Sequence, residues 1–541
     1  MTGELHHHED SVETADAHRT VQQHRQKQSV ASTDLRRVPT ADVASTDQRP
    51  SLEHTRSHIS HHDITLFPTT STTFQEVNPE QYTRFSPRRK YAITAILSLC
   101  GFLSPVSSTT ILAAVPEVAA TYNTSGSIIN LSNALYMIFM GISPCLWGPI
   151  STIYGRRWPS IISAALFFVF SIGTALAPDL ASFFVFRMLT AYQGTSFLIV
   201  GNACIGDIYA PVERGTALSA FLSGTLIGPA FGPFIGGIIV TFCTWRDIFW
   251  LQTALGGLAT VLVILFLPET IPEKKIEELK ELSATQRYKR IMHWTSPIRV
   301  GVLLFSYPNL LIAGLASSSL VWNMYSLLTP IRYVLNPRFN LTSPIQSGLF
   351  YIAPGCGYLL GTFFGGRYAD FIVKKHIKIK NKRVPEDRLR SCWAFIGIVT
   401  PACMLVYGWS VDQKVGGVPL PVAAMFIQGV SQLFCFPSLN TYCLDVMQAK
   451  GMSAEVVAGN YMIRYLFAAA GSAVCLPAIE AMGVGWFSTI STGFLVVSAA
   501  MVWATTIWGE GWRKAVDRKK KAKRVQRAQQ ELDAKGASEK V

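Results

Sequence analysis

From Tyr91 to Trp508 one apolar stretch of about 20 residues follows another, and this repetition leaves the chain few ways to fold. A helix of that length crosses the roughly 30 Å hydrocarbon core of a bilayer. Twelve spans are predicted, near residues 91–115, 128–149, 159–177, 181–207, 216–241, 248–267, 303–330, 345–369, 391–409, 418–446, 456–479 and 484–508. Charged residues make up 15% of the chain and hydrophobic ones 49%, whereas soluble proteins carry about a quarter charged. The expected fold is an all-α membrane protein with twelve transmembrane helices.

The spans fall into two sets of six. Residues 91–267 form an N-terminal bundle, 268–302 a cytoplasmic linker, and 303–508 a C-terminal bundle. A polar tail at 1–90, without periodicity and expected to be disordered, precedes them; a basic tail at 509–541 follows. Six spans, a charged linker and six more suggest an internal duplication into two pseudo-symmetric bundles. The N-terminus is long and polar, with no short basic stretch leading into an apolar core, so no cleaved signal peptide is expected.

Orientation follows from Lys and Arg, which favour cytoplasmic loops. Residues 268–300 hold seven, 370–390 hold eight and the C-terminal tail eleven, while the opposite loops hold only Arg246, Arg332, Arg338 and Lys414. Both termini are therefore expected in the cytoplasm. Two sequons, at Asn123 and Asn340, fall on the opposite side and are candidate glycosylation sites. The plasma membrane is the expected location, with the vacuolar membrane as the alternative.

The net charge of +14 does not point to nucleic acid. Residues 1–90 carry eleven basic and twelve acidic groups, so the surplus lies beside the bilayer, where anionic lipid attracts it. Nine of the eleven histidines sit in the polar tail, and the ten cysteines scatter through apolar spans without metal or disulfide spacing. No metal site and no cofactor are expected. Neither a nucleotide-binding G-x-x-x-x-G-K-[ST], a nucleophile elbow nor H-E-x-x-H occurs, which argues against a nucleotide-driven pump and against an enzyme.

Residues 223–240, SGTLIGPAFGPFIGGIIV, carry five glycines and two prolines in what is otherwise a membrane helix. Gly224, Gly228, Gly232 and Gly236 recur every four residues, laying small residues along one stripe that lets two helix backbones approach closely in lipid. Gly237 follows, and Pro229 and Pro233 bend the same helix; carbonyls they free are satisfied by a neighbour or by cavity water. After the second span comes GPISTIYGRR, residues 148–157, and after the eighth GGRYAD, residues 365–370.

At these loops the sequence resembles the major facilitator superfamily, whose signature there is G-x-x-x-D-R-x-G-R-R/K. Gly148, Gly155, Arg156 and Arg157 match, while Thr152 stands where the family has aspartate. In the second half Asp370 is present but the basic pair is displaced to Lys374 and Lys375. In the family, the aspartate caps a neighbouring helix and the arginines pair with acids, latching the cytoplasmic side; Thr152 can accept a hydrogen bond but supplies no charge. The run G-x-x-x-G-P-x-x-G-P-x-x-G-G resembles the antiporter motif of the drug:proton antiporter branch, which implies packing of the fifth helix against the eighth. FRMLTAYQGTSF (186–197), GDIYAPVERGTA (206–217) and LPET (267–270) resemble further stretches of fungal twelve-helix antiporters, a group that includes polyamine and organic-acid exporters.

An ionisable group inside a span is expensive and reads as functional. Arg187 lies in the fourth span and Arg464 in the eleventh. Weaker candidates for contact with cargo or protons, in helices that line the family's central cavity, are Ser108, Thr109, Tyr192, Gln193, Asn323, Tyr325, Gln428, Gln432, Asn460 and Tyr461. Glu117, Asp207, Asp370, Asp445 and Glu480 all fall near span ends, so no mid-membrane carboxylate is expected. Two buried arginines without a central acid suit an anionic cargo, because a guanidinium binds a carboxylate bidentately. The expected function is a secondary exporter of small organic molecules working by alternating access, with dicarboxylates as candidate cargo. Proton exchange and a monomeric state are what the resemblance implies. An organic-cation or polyamine exporter and a transporter-like nutrient receptor are the alternatives.

Overall fold

The computed structural model describes residues 80–538 except 210–213, 272, 273, 275, 281, 342, 383 and 449–452. The polar tail up to residue 79, with its histidines, and Thr342 of the second sequon lie outside the described residues. Helices dominate in chain order: α1 (Pro87–Thr109), α2 (Gly126–Ile153), α3 (Arg157–Ala175), α4 (Leu180–Ile208), α5 (Arg214–Phe242) and α6 (Arg246–Phe266) make the first set. The second comprises α7 (Pro308–Arg338), α8 (Pro344–Lys380), α9 (Phe395–Asp412), α10 (Pro419–Gln448) and the stretch Ser453–Ser538. Gly483, at φ +83°, breaks that last stretch into α11 (453–482) and α12 (484–538). Ten described runs are long and apolar enough to cross a membrane; the division at Gly483 and the glycine-rich α5 bring the total to the twelve expected. Residues up to Arg513 form one compact unit, and the continuation of α12 from Lys514 belongs to another.

Local chemistry sets the helix ends. Ser125 caps α2 by accepting from the Ile128 N–H, and Asp179 caps α4 with a reciprocal bond from Ser182. Pro308 holds the preceding Tyr307 extended (φ −123°, ψ 99°), so a separate helix, Pro297–Ser306, leads into α7. Asn123 and Asn340 are exposed and adopt left-handed φ of 50° and 54°, which asparagine tolerates better than other side chains. One end of the bundle carries these two asparagines; the other carries the basic loops.

The glycine stripe of α5 is a packing surface against α1, while the packing of the fifth helix on the eighth that the resemblance implies is made by an adjoining face that includes Gly237. A Cβ on Gly224 would lie 2.3 Å from the Ser98 carbonyl oxygen, on Gly228 2.6 Å from Pro105, on Gly232 2.5 Å from Thr109, and on Gly236 2.3 Å from the Thr110 carbonyl oxygen. The stripe therefore lies against α1, in parallel register, and the Thr109 hydroxyl donates to Gly228 O at 3.3 Å. The eighth helix touches α5 through a neighbouring face, where Gly237 meets Pro344 and Gly348 meets Phe234. Pro229 and Pro233 lie inside an uninterrupted helix. A second stripe, which the sequence reading missed, packs Gly357, Gly361 and Gly365 of α8 onto Phe426, Val430 and Leu433 of α10.

Two seams join the halves. Along the first, α2 runs antiparallel to α11: Gly141 approaches Met462 and Tyr465, and Cys145 packs with Val300 and Ala458. The second is α5 against α8, where Thr241 accepts from the Ile345 N–H at 3.1 Å.

Candidate functional site

Arg187 is buried to 1% exposure at the first seam. Its Nη2 donates to Asn133 Oδ1 on α2 at 3.2 Å, and Asn133 Nδ2 in turn reaches Ser472 on α11 at 3.4 Å. Tyr136, one turn beyond Asn133, lies 4.8 Å under the guanidinium, with Phe183 and Phe249 completing an aromatic collar. Nε and Nη1 of Arg187 have no hydrogen-bond partner, and no carboxylate pairs with it among the described residues. A cation in this setting is held by ring faces and one amide, with two donors left to offer.

Arg464, 9% exposed, stands in a comparable pocket of the second half. Its Nη2 donates to Asn440 Oδ1 at 2.6 Å, and the guanidinium lies 4.9 Å from the Phe436 ring and 5.0 Å from Tyr461. Asn460 Nδ2 shares the same Asn440 oxygen at 3.1 Å. Nε of Arg464 is unpartnered. Tyr461, which lies under the Arg464 guanidinium, stacks on Tyr465, and Tyr465 packs against the cluster that holds Tyr325 and Tyr136. Tyr136 bonds Ser107 on α1. Tyrosines 136, 325 and 465 thus connect the two arginines across the seam, within a cluster that also holds Met137, Met140, Val321 and Ala468.

Other candidates from sequence divide by where they point. Gln193 is buried with Oε1 unpartnered, and Gln428 is buried with both amide atoms unpartnered. Tyr192 is half-buried and meets Phe139 edge-on. Asn323 serves packing instead: its Nδ2 donates to Ser319 O and to Ser491 O on α12, at 2.8 and 3.2 Å. Gln432 similarly donates to Leu320 O, tying α10 to α7 at 2.8 Å. Ser108 donates to Pro105 O within its own helix. Asn133, Tyr136, Asn440 and Tyr465 were not among the residues singled out from sequence; the available signal was the spacing of Asn130, Asn133 and Tyr136 on one face of α2.

At the basic end three motifs converge. Gly155, at φ +96°, turns the chain between α2 and α3, where a Cβ would fall 2.1 Å from Glu269. The Arg156 N–H then donates to Glu269 Oε1 at 2.7 Å, and its guanidinium pairs with Asp207 Oδ2 at 3.0 Å. Arg156 Nη1 also donates to Ser151 and Thr152, and Thr270 donates to Asp207 at 3.1 Å. Arg157 is exposed and reaches the Ile264 carbonyl; a Cβ on Gly148 would make only an ordinary contact with Ile199, at 3.6 Å. Thr152 therefore replaces the acid as an acceptor, and the charge comes from Asp207 on α4.

The second half repeats this with a different cation. Lys374 and Lys375, expected to replace the basic pair, are exposed. Arg388, at the loop before α9, instead pairs with Asp445 on α10 at 3.6 Å and with Asp370 at 3.4 Å. Nearby Glu386 is held by Arg513 at 3.2 Å. Glu117, at the opposite end, pairs with Arg332, and Glu480 is exposed. All five carboxylates near span ends are thus paired or at the surface.

The sequence profile of the Major Facilitator Superfamily matches residues 97–472. Among curated proteins the chain is 26% identical to the efflux pump radE of Floropilus chiversii, covering 81% of this chain and 82% of the relative. It is equally 26% identical to citrate exporter 1 of Aspergillus niger (81% and 90%), and 24% identical to the MFS antiporter QDR3 of Candida albicans (76% and 77%). In structure it resembles the proton:xylose symporter XylE, with TM-score 0.59 and 16% identity over 78% of this chain and 97% of that one. The human organic anion transporter MFSD10 matches with TM-score 0.58 and 16% identity over 77% and 100%.

Proposed function

The chain belongs to the major facilitator superfamily, and from that premise we propose that this transporter exports small organic anions in exchange for protons. The observation that carries the reading is Arg187: a buried guanidinium at the seam between halves, with two unpartnered nitrogens and no acid beside it. A buried charge left this way is costly unless a ligand completes it. A carboxylate supplies both the missing charge and a bidentate acceptor. Arg464 offers a second cationic group, so a cargo with two or more carboxylates fits better than one with a single acid. The name of the citrate-exporting relative agrees in chemistry with this assignment.

Transport proceeds by alternating access, the two bundles rocking about the Arg187–Tyr136–Tyr465–Arg464 line. The basic loops lie in the cytoplasm with both termini, and Asn123 and Asn340 face the outside of the plasma membrane, where they accept glycans. The transporter works as a monomer.

The test is uptake into inside-out vesicles under an imposed proton gradient, comparing a labelled tricarboxylate with a labelled lipophilic cation. Carboxylate uptake that collapses with a protonophore supports the proposal. Uptake of the cation alone refutes the anionic cargo, and uptake indifferent to the protonophore refutes proton coupling.

A further inference from the structure

The helix Ala284–Trp294, in the segment joining the halves, is amphipathic with its apolar side uncovered. Ala284, Tyr288, Ile291 and Met292 recur at helical spacing, and Tyr288 and Met292 remain 66% and 53% exposed. Ser283 caps the helix, and Arg287 ties it back to Leu279 O at 3.1 Å, so it is a formed element held in place. Off the apolar stripe stand Lys289, which is exposed, and Arg290, whose guanidinium lies 5.5 Å from the Trp294 ring and whose Nε has no partner.

Two residues on, the helix Pro297–Ser306 presents Ile298, Val302 and Phe305 outward. With Gly301 and Met462 they line an open apolar groove of about 620 Å³. A Cβ on Gly301 would meet nothing within 4 Å, so a larger side chain there has room to enter the groove. The groove lies at the outer edge of the seam between halves, because Met462 also backs Gly141 of α2.

We propose that this groove and the helix before it form a binding site for an anionic glycerophospholipid, with an acyl chain in the groove and the headgroup on Lys289 and Arg290. The uncovered stripe runs directly into the lipid-facing surface of the next helix, so the same medium covers both. The cations beside it select the charge: basic amphipathic helices of this kind lie in the headgroup layer and prefer anionic lipid. This site is independent of the cargo assigned above. Bound there, the lipid touches both the linker and the α2–α11 seam through Met462.

The test uses the full-length protein in detergent, following thermal unfolding while dioleoyl phosphatidylserine or dioleoyl phosphatidylcholine is titrated in. Phosphatidylserine is expected to raise the midpoint well beyond phosphatidylcholine, as a ligand of the folded state does. Lys289→Gln with Arg290→Gln should abolish that difference while leaving the midpoint in phosphatidylcholine unchanged, which verifies folding. Gly301→Phe should reduce it by filling the groove. Equal shifts with the two lipids overturn the proposal, as does a full difference in the double variant. Loss of the difference only when Lys519, Lys520 and Lys521 are changed to Gln also overturns it, by moving the lipid to the C-terminal tail.

Discussion

Glu117, just beyond α1, and Arg332, at the far end of α7, form the only ion pair that joins the two halves among the described residues. Arg332 also donates to the Ala113 carbonyl, and Tyr333 beside it fills the space left by Gly126 at the start of α2. The contact closes the end of the bundle that carries Asn123 and Asn340. If the halves rock, this pair has to part. Glu117→Gln is expected to loosen that end by on the order of 1 kcal/mol, since the pair is partly exposed and screened. A cysteine placed at Tyr333, with Cys243 and Cys356 changed to Ser, should then react faster with a membrane-impermeant thiol reagent, and exchanging the two charges should restore protection. Unchanged reactivity would remove the pair from gating.

Asp207 and Asp445 occupy matching positions at the ends of α4 and α10, facing Arg156 and Arg388. Asp370, though part of the loop motif, is largely exposed, with 63% of its side chain accessible. Truncating a mostly buried charge pair costs more than truncating an exposed one. Asp207→Asn and Asp445→Asn are therefore each expected to cut transport about tenfold, corresponding to roughly 1.4 kcal/mol, while Asp370→Asn changes it little. Initial rates at matched surface expression decide this, and equal losses in all three would contradict it.

The α5 stripe gives a steric prediction. Gly236→Ala drives a methyl to 2.3 Å from a backbone carbonyl, and overpacking of this kind costs about 1–3 kcal/mol. Gly206→Ala, where nothing lies within 4 Å, should be tolerated, because alanine favours a helix interior by roughly 1 kcal/mol over glycine. Thermal unfolding of the two purified variants separates them; similar midpoints would argue that α1 and α5 are not in close contact.

Asn133 gives the sharpest change of charge near the site. Asn133→Asp would place a carboxylate on Arg187 Nη2 and neutralise the cation that the cargo needs. Transport of an anionic cargo is expected to fall by at least tenfold, while Asn133→Gln retains partial activity. If Asn133→Asp transports normally, Arg187 does not meet an anion.

Much of this architecture could be read from residues alone, because the physics that decides it is local. Hydrophobic length places the spans, and Arg187 and Arg464 stand out since a charge in an apolar run is rarely idle. The partner of the glycine stripe could not be read, because spacing reveals which face is small but not which helix lies against it. Arg388 escaped for a related reason: Lys374 and Lys375 sit nearer the expected spacing, and only the path of the loop before α9 brings Arg388 to Asp445. Asn133 and Asn440 were illegible because a neutral amide within a span is common and acquires meaning only from the guanidinium it holds.

On the proposed function, Arg187 meets the negative charge of the cargo. The most direct test is gradient-driven uptake of a labelled tricarboxylate into inside-out vesicles carrying Arg187→Ala or Arg187→Lys at equal expression. Loss of a charge-assisted bidentate contact is worth about 1.5–3 kcal/mol, so uptake should drop at least tenfold in the alanine variant, with partial recovery in lysine. Undiminished tricarboxylate uptake in Arg187→Ala would show that Arg187 does not bind the cargo.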